Sequence, residues 1–157
     1  MKRGTSLRWM NAKITLLSKK ITTDKADALV VVVQGPAKEN ALVQAIDGAV
    51  GGGLLKHLER VDFDPEKGGV VCVPLLHQTP VSQVVLSGVR NENGGDGATF
   101  GEAARISAAV ASGVRACLAR RPTKINVAID ESLSLRAVAQ GVGLGVYKFD
   151  KYFTSAK

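Results

Sequence analysis

The chain has 157 residues, a formal net charge of +7, an apolar share of 45% and an aromatic share of only 4%. That length suits one domain with a core of its own, and that apolar share excludes a disordered polypeptide. With so few aromatics the core has to be built from Val, Leu, Ile and Ala, a palette suited to strands buried on both faces under small-residue helices.

Residues 1–12 read as a basic N-terminal extension, with Lys2, Arg3 and Arg8 and no periodicity, and the domain is expected over 13–157. The extension lacks the apolar run and cleavage site of a secretion signal. No stretch is long enough to cross a membrane, so a cytoplasmic location is the expectation. Lys13 to Leu17 alternates and reads as a short strand. Asp27 to Val33 reads as a central strand, apolar on both faces and ended by Gly35-Pro36. Leu42, Val43, Ile46 and Val50 recur at helical spacing, Gly51-Gly52-Gly53 interrupts, and Leu54, Leu55 and Leu58 resume.

Asp62 to Gly69 is rich in turn formers. Val70 to Leu75 reads as another buried strand, and Gln83 to Val89 as the next. Asn91 to Gly97 has loop chemistry. Thr99 with Glu102 forms a capping-box pattern that predicts an alanine-rich helix to about Arg120, stopped by Pro122. Lys124 to Ile129 is a further strand, and Ser132 or Ser134 is expected to cap a last helix reaching Val146. The order breaks pure strand–helix alternation. It predicts an α/β fold with a mixed sheet sandwiched between helices.

The residues supply no reacting constellation. His57 and His77 lie in different elements without an acidic cluster. Asp62, Asp64 and Glu66 share a loop but lack the glycine framework of a hard-cation site. Ser87-Gly88 is not a nucleophile elbow. Cys72 and Cys117 read as buried free thiols. Gly51-Gly52-Gly53 matches neither dinucleotide nor P-loop spacing and reads as a flexible helix break. Arg115, Arg120, Arg121 and Lys124 gather near a helix C-terminus, where cations complement the dipole. Gly141, Gly143 and Gly145 lie inside the last helix, where each costs about 1 kcal/mol against alanine, so they predict close helix packing against another element or against another part of a larger protein. No catalytic, cofactor-binding or metal-ligating residue is expected in this chain.

The stretch Gly141-Val-Gly-Leu-Gly-Val-Tyr147-Lys-Phe149-Asp150-Lys-Tyr152 is the most specific feature. It resembles the segment that closes the N-terminal domain of the leucyl (cytosol) aminopeptidases, and Lys13-Ile14-Thr15 with Asp27 to Val33 is similar to that family's opening strands. The likeness covers roughly residues 12 to 156. It departs at Ser87-Gly88-Val89, which lacks a second glycine, and at Phe153, where a basic residue is common.

The resemblance implies a macro-domain-like fold and an assembly role, since these enzymes are typically hexamers. Its implied partners are an aminopeptidase catalytic domain and other subunits in a homo-oligomer, with DNA as a further partner in some bacterial members and no membrane. The family's catalytic half binds two metals, usually zinc or manganese. Its Asn-Thr-Asp-Ala-Glu-Gly-Arg signature does not occur here, so the resemblance implies a chain without the catalytic C-terminal domain and without a cofactor. The docking surface is expected around Tyr147, Phe149, Tyr152 and Phe153, unless those aromatics pack on the domain's own core. Alternative readings are a DNA-binding module using the positive charge, or an ADP-ribose-binding macro domain. The latter lacks its asparagine, the corresponding positions reading Val31-Val32-Val33-Gln34.

Overall fold

From Ala26 to Val33, Asp27 is the one residue that is not buried. Such a run can only be a strand covered on both sides, and it forms the centre of the sheet. The computed structural model describes residues 25–75, 80–91, 101–130 and 132–147, and the backbone of 13–17. Within these, β1 is Lys13–Leu17, β2 Ala26–Val33, β3 Val70–Pro74, β4 Val81–Gly88 and β5 Lys124–Ala128. The helices are α1 Ala41–Ala49, α2 Leu54–Arg60, α3 Glu102–Leu118 and α4 Leu135–Val146. The strand order is β1-β5-β2-β4-β3. Four strands are parallel, with Val31 of β2 beside Leu86 of β4 and Ala128 of β5, and β3 runs antiparallel on the edge beyond β4.

Side-chain alternation splits the core into two slabs. Ala28, Val30 and Val32 face α3 and α4, where Val110, Val114 and Val138 are fully buried. Leu29, Val31 and Val33 face α1 and α2, meeting Val43, Ile46, Leu54 and Leu58. Helices therefore lie on both faces of a mixed sheet, as the element order predicts. Small residues let α3 approach closely: a Cβ on Gly113 would stand 2.7 Å from Val30 Cγ1. Ser87, fully buried in β4, donates its hydroxyl to the Ala109 carbonyl of α3 at 2.5 Å.

Helix ends follow local chemistry. Asn40 Oδ1 accepts from the Leu42 and Val43 N–H groups at the start of α1, and Ser134 Oγ accepts from Ala137 N–H at the start of α4. Of the two serines expected there, Ser134 is the cap. For α3 the expected capping box is replaced. Its N-cap is Gly101, which offers no side-chain acceptor, and Thr99 lies outside the described residues. Glu102 still sits in the first turn, where its charge suits the dipole, and accepts from Gln34 Nε2 at 3.4 Å.

Two further expectations need correction. β3 is not buried on both faces, because only β4 flanks it. Val71 and Val73 pack inward while Val70 and Cys72 are exposed, and Pro74 is tolerated on an edge. Cys72 is thus an exposed thiol, whereas Cys117 is buried, and burial pushes the Cys117 thiol up to about 12. A thiolate-dependent reagent is therefore expected to titrate one of the two cysteines in the folded chain and both after unfolding. Two equivalents without denaturant would contradict the placement of Cys117.

Asp27 ties β2 to the start of β5. Its Oδ2 accepts from Thr123 Oγ1 at 2.7 Å, Thr123 N–H at 2.7 Å and Lys124 N–H at 2.9 Å. These bonds, that of the Thr123 hydroxyl foremost, hold the carboxyl below its ordinary 3.8. The folded pKa is the lower one. The stabilisation is therefore complete above the unfolded value and is lost as pH falls through the folded value. Asp27→Asn is expected to be less stable than the parent in urea near pH 7, with a deficit that shrinks below about pH 4. A deficit independent of pH would contradict this account.

Candidate association surface

Of the twelve residues of α4, only Arg136 is charged. A helix that is apolar all round is normally covered all round. Among the described residues α4 is covered on one side, by α3. Ala137, Val138, Gly141 and Gly145 form the buried face. A Cβ on Gly141 would stand 2.6 Å from both the Ser107 carbonyl oxygen and Val110 Cβ, and one on Gly145 would stand 2.8 Å from Val114 Cβ. Two glycines one turn apart thus bring the helix backbones together. Ser107 Oγ donates to the Ala137 carbonyl at 2.8 Å. Arg115 Nη2 donates to the Leu144 carbonyl at 3.0 Å, satisfying an acceptor in the last turn of α4.

The opposite face of α4 carries Leu135, Arg136, Ala139, Gln140, Gly143 and Leu144, and Tyr147 follows at the helix end. Their spacing by three and four places them on one stripe. Leu135 is 60% exposed, Leu144 52% and Tyr147 63%. Gly143 differs from its two neighbours in the motif: a Cβ there would meet nothing within 4 Å. The packing against another element expected of these glycines is met at Gly141 and Gly145, whereas Gly143 faces away from α3. Of the aromatics expected to mark a docking surface, Tyr147 is exposed, while Phe149, Tyr152 and Phe153 lie outside the described residues. Leu135 and Leu144 were not singled out from the sequence. The available signal was the near absence of charge between residues 135 and 146.

The other candidates resolve into local structure. Gly51 and Gly52 adopt φ of 83° and 79°, so the triplet serves a left-handed turn rather than a loose break. Asp47 Oδ1 accepts from Leu55 N–H at 3.0 Å, which places a carboxylate where a phosphate would have to sit. Asp64 pairs with Lys67 at 3.0 Å and accepts from Glu66 N–H, and the Lys67 ammonium lowers its pKa. His57 lies in the last turn of α2, and His77 is outside the described residues. Among the described residues no three of His, Cys, Asp and Glu stand close enough to share a metal ion. No described helix is long and apolar enough to cross a membrane.

The fold is shared with two kinds of solved protein. A mutant of tomato leucine aminopeptidase superposes with a TM-score of 0.62 at 18% identity, over 93% of this chain and 30% of that one. The macrodomain of Mycobacterium tuberculosis DarG superposes with a TM-score of 0.59 at 13% identity, over 85% of this chain and 90% of that one. At these identities the likeness is one of fold: a macro-domain-like α/β sandwich. The chain spans less than a third of the length of the tomato enzyme. No curated protein matches it. The family model described as the cytosol aminopeptidase family, N-terminal domain, matches residues 29–155, and the chain therefore belongs to that family through its N-terminal domain.

Proposed function

We propose that this domain is a non-catalytic association module, which docks through the outer face of α4 on an aminopeptidase catalytic domain and helps to order the oligomer. The observation that carries this reading is the single charge on α4. Leu135, Leu144 and Tyr147 are the three most exposed large apolar residues among those described, and all three belong to this face. Gly143 supports it further. Glycine costs a helix about 1 kcal/mol, and here no packing among the described residues compensates. A surface approaching from outside gives that small residue a purpose. The face also immediately precedes the segment by which the resemblance passes toward a catalytic half.

Two of the described cations are turned back onto the domain's own backbone rather than left to meet a phosphate backbone. Arg115 is turned onto the Leu144 carbonyl and Arg105 onto the Arg90 carbonyl. The association reading is therefore preferred to nucleic-acid binding. Its non-catalytic part is tested with the purified chain and leucyl-p-nitroanilide in the presence of manganese or zinc. No turnover is expected. Turnover that a chelator removes would overturn it.

A further inference from the structure

The amino-terminal ends of β2 and β4, together with the chain between α3 and β5, border an open cavity of about 290 Å³. Asp27, Ser82, Gln83, Arg120, Arg121 and Thr123 line it. It lies away from the α4 face, and the association role makes no use of it.

Gln83 is the group that calls for a ligand. Its side chain is buried, with the residue 4% exposed, and its Oε1 has no hydrogen-bond partner among the described residues. Carboxamides this deep are normally bonded, and an aliphatic residue would fill the place without leaving a polar atom open. Arg121 gives an independent indication. It adopts φ of 51°, in the left-handed region, where glycine would hold the turn without steric penalty. A guanidinium is what glycine cannot supply.

The charge balance suits an anion. Asp27 is the only acid in the lining, and its Oδ2 is already engaged by Thr123 Oγ1, Thr123 N–H and Lys124 N–H, with the positive charge of Lys25 nearby. The carboxyl end of α3 contributes about half a negative charge, less than two guanidiniums. Arg120 and Arg121 are both exposed at the rim and offer planar donor forks suited to oxyanions.

We propose that this cavity binds an oxyanion that retains a proton, hydrogen phosphate being the simplest case. Arg120 and Arg121 hold its unprotonated oxygens. Gln83 Oε1, the atom left without a partner, accepts its P–O–H proton.

The test is a titration of the full chain with inorganic phosphate at constant ionic strength and neutral pH, followed by amide NMR, with sulfate as the comparator. Sulfate matches the charge and size of phosphate but has no proton to give at that pH. Phosphate is expected to saturate, with shifts centred on Gln83 and residues 120–124, and to bind about tenfold more tightly than sulfate. Arg121→Gly is expected to melt at or above the parent temperature yet bind phosphate about tenfold more weakly. Gln83→Leu is expected to fold and to bind phosphate no better than sulfate. Shifts spread over all surface cations without saturation would overturn the proposal. So would equal affinity for the two anions in the parent, or unchanged binding in Arg121→Gly.

Discussion

Gly141→Val is expected to lower the unfolding free energy by about 3 kcal/mol or more, the largest loss from any single small-to-large change in α4. The first added carbon would already stand 2.6 Å from Val110 Cβ and from the backbone oxygen of Ser107. Neither neighbour can yield. Val110 is fully buried between the helix and the sheet, and the Ser107 backbone is held within α3. The helices would have to separate, and the bond from Ser107 Oγ to the Ala137 carbonyl would open with them. Gly143→Ala supplies the internal control. It lies on the same helix, with open space around its Cβ, and is expected to gain up to about 1 kcal/mol from helix propensity alone. Urea unfolding of the two variants beside the parent checks both signs. Equal losses at the two positions would refute the close packing of α4 on α3 through Gly141.

Asn126→Val is expected to raise stability by about 1–3 kcal/mol. Asn126 is fully buried in β5, paired with Thr15 of β1 on one side and Leu29 of β2 on the other. Among the described residues neither its Oδ1 nor its Nδ2 has a hydrogen-bond partner. On its face of the sheet stand Ala128 of β5 and Leu29 of β2, both apolar and buried, so a β-branched residue suits the surroundings. Desolvating an unpaired carboxamide is a cost that valine removes. Thermal unfolding decides the matter, because a variant less stable than the parent would mean that the amide is satisfied in solution.

The strands were legible where burial is complete. Asp27 to Val33 and Gln83 to Val89 are apolar enough to require a central place, and β2 and β4 are adjacent in the sheet. β3 shows the limit of that signal. Val70 to Leu75 is no less apolar, but edge or interior depends on what pairs with it, and composition carries no such information. Cys72 was misplaced for the same reason. The glycines of α4 marked a close helix contact correctly at Gly141 and Gly145, because a repeated cost to helix propensity needs a cause. The helix phase, not the motif, separates them from Gly143. The unpartnered amides of Gln83 and Asn126 and the left-handed Arg121 were beyond the sequence, since each depends on what surrounds it in three dimensions.

The docking role of α4 is tested most directly by a photo-crosslinking residue placed at Leu144 in the native host, with the same residue at Lys56 on α2 as the control. Crosslinking from position 144, and not from 56, to a polypeptide that mass spectrometry identifies by the Asn-Thr-Asp-Ala-Glu-Gly-Arg signature is the predicted result. Equal labelling from both positions, or none from 144 to such a polypeptide, would contradict it.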